Sequence, residues 1–481
     1  MTETLKEKTA KGLLWGGLNN GFQQLLGLIF GIILGRLLSP DDYGMIAMIT
    51  IFSLIATAIQ DSGFRVAIIN LKEAVDADYN SVFWFNILAS LSLYVILFFS
   101  APLIAAYYRT PALVPLTRYA FIGFVIASFG IAQTAYLSRH LMVKQLAKCG
   151  MTAILISSIV GALMAWHGFG YWALATQSIT FVLVNTVMEW YYSVWRPSMH
   201  IDFRPVARMF SFSSKMLLTT IISHINNNVL NILLGRYYSP HDVGTYNQAY
   251  QWDSKGYSFI QGMLLQVAQP VLSSISDERE RQLRVLRKMM RFTAFVSFPV
   301  MFGLALVSRE FIIITITEKW LASAQLLQIL CLSGAFIPLS LLLSNMIISH
   351  GKSGIYMWCT LSLAVSQIAL MILLSSLGIR TMVIGYTVIN VVWMFVWWYF
   401  VHRLVGYRFF WLLRDVLPFC LVSAGVMAVT YFGTCLLSSL PLLLASRILV
   451  AGTLYFIVMK IARAELLDEC LGFVKSGFKK V

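Results

Sequence analysis

Long apolar runs dominate this chain of 481 residues. About fourteen of them follow one another, each of roughly 20 residues or more, which is the length that a helix needs to cross a bilayer core of about 30 Å. Backbone polar groups cannot stay unpaired in hydrocarbon, so these runs are predicted to be helices. Only 12% of the residues are charged, whereas soluble domains carry about 25%. The sequence therefore predicts an all-α integral membrane protein with about 14 transmembrane helices.

One corner of the sequence occurs twice, as LGRLLSPDDYG at 34–44 and as LGRYYSPHDVG at 234–244. The first copy joins spans one and two, and the second joins spans seven and eight. An even number of spans separates the copies, so they share a membrane face and the halves form a parallel repeat. In each copy the Arg is expected at the C-terminal end of a helix, where a cation complements the helix dipole. Ser-Pro is expected to start a turn, and the Asp to cap the start of the next helix. Gly44 and Gly244 are predicted to allow close packing.

The duplication predicts two parallel six-helix repeats plus two extra C-terminal helices. Residues 1–200 are the N-terminal six-helix lobe, and residues 201–275 hold spans seven and eight. Residues 276–291 form a cytoplasmic amphipathic loop, predicted to lie along the membrane surface as a helix. Spans nine to twelve occupy residues 292–405, and residues 406–481 hold two additional transmembrane helices and a basic cytoplasmic tail.

Positive charge is distributed unequally between the two membrane faces. The formal net charge is +15. When the spans are threaded from a cytoplasmic N-terminus, roughly three quarters of the Lys and Arg residues fall on the starting side, as the positive-inside rule expects. Both termini are therefore predicted to be cytoplasmic, and the charge is assigned to topology instead of nucleic-acid binding. The six cysteines form no CxxC pair, so no metal, disulfide or cofactor is expected.

Span eight, at 244–270, carries the clearest polar pattern of the chain. Its polar residues recur three or four apart, within a stripe about 80° wide on a helix. The members are Gln248, Gln251, Lys255, Ser258, Gly262, Gln266 and Gln269. Asp253 falls nearly opposite. Two interpretations fit the stripe: a hydrated wall that binds an anionic or sugar-like cargo, and hydrogen bonding between helices of a bundle.

Spans one and seven carry related polar faces. Asn19 and Gln23 of span one lie 200 positions before Thr219 and Ser223 of span seven, so the two halves are expected to turn equivalent faces toward each other. The face of span seven also includes Lys215 and Asn226, with His224 beside it. Lys215 fits a position at the cytoplasmic interface equally well.

Span one also spaces Gly27, Gly31 and Gly35 four residues apart. This spacing predicts close helix packing, with a hinge as the alternative.

A few ionisable residues lie within or beside the spans. Asp61 and Arg65 are four residues apart and are expected to pair near the inner surface. The candidates for ion coupling are Asp61, Asp253, Glu189 and His224, because intramembrane ionisable groups are costly and usually functional. The simplest interpretation of His224 is a hydrogen-bonded core histidine.

Motifs of catalysis are missing from the sequence. It contains no GxSxG, no HExxH and no phosphate-binding glycine loop. No long loop carries the carboxylates that a membrane glycosyltransferase or polymerase needs. The prediction is therefore that the protein is not an enzyme, with a glycosyltransferase or polymerase as the alternative.

Two segments of the chain resemble polysaccharide flippases of the multidrug/oligosaccharidyl-lipid/polysaccharide exporter superfamily. They are FSFSSKMLLTTIISHINNNVLNILLGRYYSPHDVGTYNQAY at 210–250 and GLLWGGLNNGFQQLLGLIFGIILGRLLSPDDYGMIAM at 12–48, the latter followed by DSGFRVAIIN at 61–70. The most similar subgroup is that of bacterial colanic-acid or exopolysaccharide exporters.

This resemblance implies two lobes forming a V around a central cavity, alternating access, and an oligosaccharide cargo on undecaprenyl diphosphate. It implies a bacterial inner membrane, with a polysaccharide polymerase or export machinery as a further partner. Cargo contacts are then expected at Lys255, Lys215, Arg65, Gln248, Gln251, Ser258, Gln266, Asn19, Gln23 and Asn226. A multidrug exporter and a lipid II flippase of the same superfamily are the alternatives.

Overall fold

The computed structural model describes residues 5–61, 68, 74–199, 202–275, 278–462 and 466–467. Regular structure in these ranges is entirely helical. The chain divides into two compact units, Met1–Gly244 and Thr245–Val481.

The first unit consists of long helices interrupted by one broken segment. Its helices are α1 Leu5–Leu37, α2 Pro40–Asp61, α3 Asp76–Tyr108, α4 Leu113–Ala120, α5 Ile122–Ser128, α6 Ile131–Arg139, α7 Val143–Trp166, α8 Tyr171–Tyr192 and α9 Arg204–Tyr237. In this unit α9 packs on α2 and α3. The lobe boundary predicted at 200/201 follows the sequence duplication. The compact units instead divide after Gly244, because α9 packs on helices that precede it in the chain.

The second unit is arranged around one long helix, α11, which contacts most of the other helices of the unit. Its helices are α10 Pro240–Ser274, which begins in the first unit, then α11 Arg279–Ile316, the 3-10 turn Glu318–Trp320, α12 Leu321–Gly334, α13 Ile337–Ser349, α14 Ser353–Leu374, α15 Ile379–Val405, α16 Phe409–Thr434 and α17 Leu440–Ile461.

Length and composition make the chain a multi-pass membrane protein. Within the described ranges, 10 helical segments are long and apolar enough to cross a membrane, or 11 if the bent segment from Leu113 to Arg139 is one span. The helices α8, α9 and α10 are 22, 34 and 35 residues long but fall outside that set, because their polar and aromatic residues lower the hydropathy. The count of fourteen spans stays a prediction.

The two copies of the repeated corner pack directly against each other. A Cβ added at Gly44 would overlap the carbonyl oxygen of Pro240, and one added at Gly244 would overlap that of Pro40. Asp41 Oδ2 and His241 Nδ1 lie 3.2 Å apart beside this contact. The close packing predicted at both glycines is confirmed. It is reciprocal, because the glycine of each corner packs on the proline carbonyl of the other corner.

Each corner also begins its helix in the same way. The Ser39 hydroxyl donates to Asp42 Oδ2 at 2.7 Å, and the Ser239 hydroxyl donates to Asp242 Oδ2 at 2.7 Å. The backbone N–H of each Ser also donates to the same carboxylate. Ser is therefore the N-cap and Asp, three residues later, completes the cap, which satisfies backbone donors at the start of α2 and α10.

Two other expectations differ from the structure. A Cβ added at Gly27 or Gly31 would meet no atom of the described residues within 4 Å, so the described neighbours do not pack closely on these two positions as predicted. The basic segment predicted as a separate surface helix at 276–291 instead forms, from Arg279 onward, the beginning of the 38-residue helix α11. The helix is continuous from Arg279 into the apolar part of α11, because no proline interrupts it before Pro299.

Ion pairs join the last two helices to α11 at two levels. Toward the start of α11, Arg287 binds the buried carboxylate of Asp415 in α16 through two hydrogen bonds of 2.8 and 3.0 Å. Toward its end, Glu310 accepts a 2.8 Å hydrogen bond from Arg447 of α17, and both side chains are buried. The two C-terminal helices therefore belong to the packed core of the second unit.

Candidate functional site

The polar stripe of α10 is largely exposed. Gln251, Lys255, Ser258, Gly262 and Gln269 are all exposed, while residues on the other face, such as Trp252 and Leu264, are buried. Gln248, at one end of the stripe, is buried, and its Oε1 accepts no hydrogen bond from the described residues.

Local bonds satisfy part of this stripe. The Gln251 amide donates to Asn247 Oδ1 at 2.7 Å, and the Ser258 hydroxyl donates to the Ser254 carbonyl within the same helix. These bonds run along α10, so they do not tie the stripe to a neighbouring helix. An exposed polar face on a long helix of a membrane protein is typical of a water-lined surface, which favours the hydrated-wall interpretation.

Lys255 lies over an aromatic ring at the edge of this stripe. Its Nζ is 4.4 Å from the centroid of the Trp252 ring, close enough for a cation–π contact. Among the described residues it takes part in no ion pair. Trp252 is itself held edge-to-face by Phe311 of α11, with ring centroids 4.8 Å apart. The ammonium group is therefore positioned, and its charge is not neutralised by a carboxylate.

An apolar cavity of about 550 Å³ adjoins Lys255. It lies between α10, α11, α16 and α17, and its lining includes Gly303, Met427 and Ala451. Arg447 also reaches the lining, but its charge is paired with Glu310. The cavity therefore combines apolar walls with the uncompensated cation of Lys255, a combination suited to a ligand that is both apolar and anionic.

Asp253 lies on the opposite face of α10, as its sequence position predicts. The residue is only 2% exposed, and its Oδ1 has no hydrogen-bond partner among the described residues. The carboxyl group packs on Gly334 of α12, where an added Cβ would overlap Oδ1, and it interacts with the Cys331 thiol. A buried carboxyl group with this environment is costly and marks a functional candidate.

The polar face of α9 is only half-buried. Asn226 and His224 are partly exposed, and the buried Asn226 Oδ1 has no hydrogen-bond partner in the part of the chain that the structure describes. The Asn228 amide donates to the His224 carbonyl at 3.0 Å, and the Asn231 amide approaches Asn228 Oδ1 at 3.5 Å. The run of asparagines thus forms a weakly connected polar strip with acceptor capacity to spare.

The polar face of α1 contacts α7 in the first unit. Gln23 donates to Asn19 Oδ1 at 2.9 Å. A Cβ added at Gly150 of α7 would lie 2.6 Å from Gln23 Nε2 and 3.2 Å from Asn19 Oδ1. Both side chains are partly exposed, and they pack closely on α7 because Gly150 has no side chain. The predicted pairing of this face with that of span seven stays a prediction.

Glu189 is buried at the end of α8. Asn185 donates to its Oε1 at 2.7 Å, and an added Cβ at Gly130, just before α6, would overlap Oε2. The carboxyl group therefore packs at the bend between α5 and α6.

Several predicted residues fall outside what the structure describes. The side chains of Asp61, Lys215 and Gln266 lie outside the described residues, although all three belong to helices, and Arg65 lies outside them altogether. The expected Asp61–Arg65 pair therefore stays a prediction.

Sequence reasoning missed the buried ion pair of α11 and α17. Arg447 donates to Glu310 Oε2, to the Leu306 carbonyl at 3.1 Å and to Thr434 Oγ1 at 3.3 Å. The distribution of Lys and Arg between the two faces treats Arg447 as a determinant of topology, and no sequence motif includes Glu310. The available signal was the position of Arg447, two turns inside an apolar helix, where a charge needs a partner.

Known proteins are similar to this chain in sequence. A family model described as "Polysaccharide biosynthesis protein" matches residues 33–325. The teichuronic acid biosynthesis protein TuaB of Bacillus subtilis is 24% identical, with 81% of each chain covered. The lipopolysaccharide biosynthesis protein WzxC of Escherichia coli is 25% identical, over 69% of this chain and 68% of that protein.

A solved structure shows the same fold. The lipid II flippase MurJ in an inward closed conformation matches with a TM-score of 0.77, covering 95% of this chain and 100% of the other at 17% identity. At this identity the likeness concerns the fold alone.

Proposed function

Because the chain belongs to the polysaccharide biosynthesis protein family, we propose that it is a transporter of lipid-linked oligosaccharides. It moves undecaprenyl-diphosphate-linked repeat units across the bacterial inner membrane by alternating access, for exopolysaccharide, capsule or O-antigen biosynthesis. The names of its relatives, which refer to teichuronic acid and lipopolysaccharide biosynthesis, support this class of cargo. No catalytic step is part of the proposal.

The observation that carries the proposal is the exposed polar stripe of α10 around Lys255. Amide and hydroxyl side chains such as Gln251 and Ser258 can exchange hydrogen bonds with sugar hydroxyls. Lys255, which has no carboxylate partner among the described residues, supplies a cation for a diphosphate or an acidic sugar.

The cavity beside Lys255 supports the lipid-linked character of the cargo. Its walls are apolar and its uncompensated charge is positive, so it suits the junction between an isoprenoid chain and a diphosphate. A multidrug exporter for cationic drugs would be poorly served by a cation at this position. The polar residues of α9 and α1, Asn226, Asn19 and Gln23, are proposed as further cargo contacts, with Lys215 and Arg65.

We propose Asp253 as the first candidate for ion coupling, ahead of Glu189, His224 and Asp61. The Asp253 carboxyl group is buried and one of its oxygens lacks a hydrogen-bond partner, whereas Glu189 accepts a hydrogen bond from Asn185. Burial disfavours the charged form of a carboxyl group, so its affinity for a proton depends on how its surroundings change. This is what coupling of transport to an ion gradient requires.

The membrane orientation follows from charge. The side richer in Lys and Arg is proposed to be cytoplasmic, with both termini there and with a polymerase or export machinery receiving the cargo on the opposite face.

The proposal is tested by complementing a deletion strain that lacks its surface polysaccharide. Wild type should restore export, and Lys255→Ala should reduce it to a small fraction while the protein remains inserted at normal level. Lys255→Arg should retain most export because it keeps the charge. Lys352→Ala, an exposed lysine in the link between α13 and α14, is the matched control and should export like wild type.

The alternatives predict other results. A deletion strain with normal surface polysaccharide contradicts the proposal. If the strain instead becomes sensitive to cationic drugs, the chain is a multidrug exporter, and if it stops making peptidoglycan, the cargo is lipid II. Formation of sugar–sugar bonds by the purified protein would indicate a polymerase.

A further inference from the structure

A cationic surface lies at the start of α16, far along the chain from Lys255. We name it the Trp411 surface; it consists of Arg287, Arg291, Arg408 and Trp411. The guanidinium carbon of Arg287 is 5.0 Å from the centroid of the Trp411 ring, and that of Arg408 is 5.4 Å from the same centroid. One indole ring thus holds two guanidinium groups, which repel each other.

Among the described residues, the carboxylate of Asp415 is the one that pairs with this surface. It is 1% exposed, accepts two hydrogen bonds from Arg287 and lies 3.7 Å from Arg291 Nε. The Tyr407 hydroxyl donates a third hydrogen bond to it at 3.1 Å. Burial and the nearby Asp415 carboxylate raise the pKa of Tyr407, so that hydroxyl keeps its proton and remains a donor.

Positive charge therefore remains uncompensated on this surface. Three arginines face one aspartate, whose oxygens are already engaged by Arg287 and Tyr407. Arg408 is exposed and forms no ion pair with any carboxylate in the part of the chain that the structure describes. An anion could approach Arg408 from outside without displacing an existing bond.

The residues next to Arg408 are exposed and aromatic. Phe409 and Phe410, at the first positions of α16, are 45% and 71% exposed, and the apolar remainder of that helix is long enough to cross a membrane. Cations that directly adjoin exposed apolar side chains at a helix end are positioned at the level of the lipid headgroups.

We propose that the Trp411 surface binds the headgroup of one anionic phospholipid, with its acyl chains along Phe409 and Phe410. The lipid phosphate would approach Arg408 and the outer side of Arg287, and would supply the negative charge that Asp415 alone does not. The adjoining phenylalanines favour a lipid over a soluble phosphate, because they offer contact area that only an acyl chain can use. This inference does not depend on the identity of the cargo.

The test is lipid binding to the purified full-length protein by native mass spectrometry. Phosphatidylglycerol and phosphatidylcholine with the same acyl chains are titrated separately. Wild type should retain phosphatidylglycerol preferentially. Arg408→Gln should weaken that binding about fivefold, the factor expected for one cation near an anionic membrane surface, and should leave the Arg287–Asp415 pair intact.

The matched control is Arg380→Gln, which removes an exposed arginine near the other end of the preceding helix α15. It should bind phosphatidylglycerol like wild type. The proposal is overturned if Arg408→Gln also binds like wild type, or if wild type does not distinguish the two lipids. Displacement of phosphatidylglycerol by millimolar inorganic phosphate would show a general anion site and would also overturn it.

Discussion

At the scale of single residues, α10 separates two kinds of polar group on opposite faces. Lys255 and most of the described members of its stripe are exposed, whereas Asp253, two positions earlier, is buried against Gly334. The helical period of about 3.6 residues makes this separation predictable from the sequence. What the sequence could not supply was the packing around each group. Phe311 of α11 holds the Trp252 ring that lies under Lys255, and Gly334 of α12 makes room for Asp253.

The coupling role proposed for Asp253 can be tested at this scale. Asp253→Asn keeps the size of the side chain but removes its ability to exchange a proton. Export by wild type should increase with an imposed proton gradient, and export by Asp253→Asn should be low and independent of that gradient. Glu318→Gln, at an exposed residue of the 3-10 turn, should respond like wild type. A gradient response by Asp253→Asn equal to that of wild type would exclude this residue from coupling.

At the scale of helices, the sequence predicted where the elements lie better than how they pack. Apolar runs located the long helices, because the bilayer fixes their length. The glycine spacing of α1 predicts close packing, yet Gly27 and Gly31 meet no described neighbour within 4 Å. Spacing alone describes one helix surface, and it does not indicate whether a second helix lies against that surface.

Attachment of α17 through Arg447 predicts a specific pattern of stability. Arg447→Met leaves the Glu310 carboxylate buried without its partner, and removal of one member of a buried pair costs about 3–5 kcal/mol. The apparent melting temperature of the purified protein should therefore fall markedly. The double variant Arg447→Met/Glu310→Met should recover most of the loss, because no buried charge remains.

A surface pair provides the control for this measurement. Arg281 and Glu278 are 3.0 Å apart, but their side chains are 58% and 57% exposed, so Arg281→Gln should cost less than about 1 kcal/mol. Equal losses in the Arg447 and Arg281 variants, or no recovery in the double variant, would show that the buried pair does not fix α17.

At the scale of the whole chain, the duplicated corner relates sequence to structure most directly. The offset of 200 residues predicted that both copies share a membrane face, and the structure adds that they touch, through Gly44 with Pro240 and Gly244 with Pro40. Contact between the copies could not be predicted from their similarity, because a repeat specifies equivalent positions but not their distance in space. The proline carbonyl of each copy leaves no room for a Cβ at the glycine of the other copy. This contact gives a physical reason for the glycine in both copies.

The alternating access that we propose requires a pathway that closes on one side while it opens on the other. The corner contact is a place where this requirement can be tested. Asp41 and His241 lie beside the contact with their side chains 51–59% exposed, so cysteines at both positions would be accessible to a short bis-thiol cross-linker. Cross-linked Asp41→Cys/His241→Cys should stop export if the corner separates in each cycle, and a cleavable linker should restore export after reduction. Each single variant treated with the same reagent controls for modification of the native cysteines. Undiminished export by a fully cross-linked protein would show that the corner stays closed throughout transport, and the moving elements would then have to lie elsewhere.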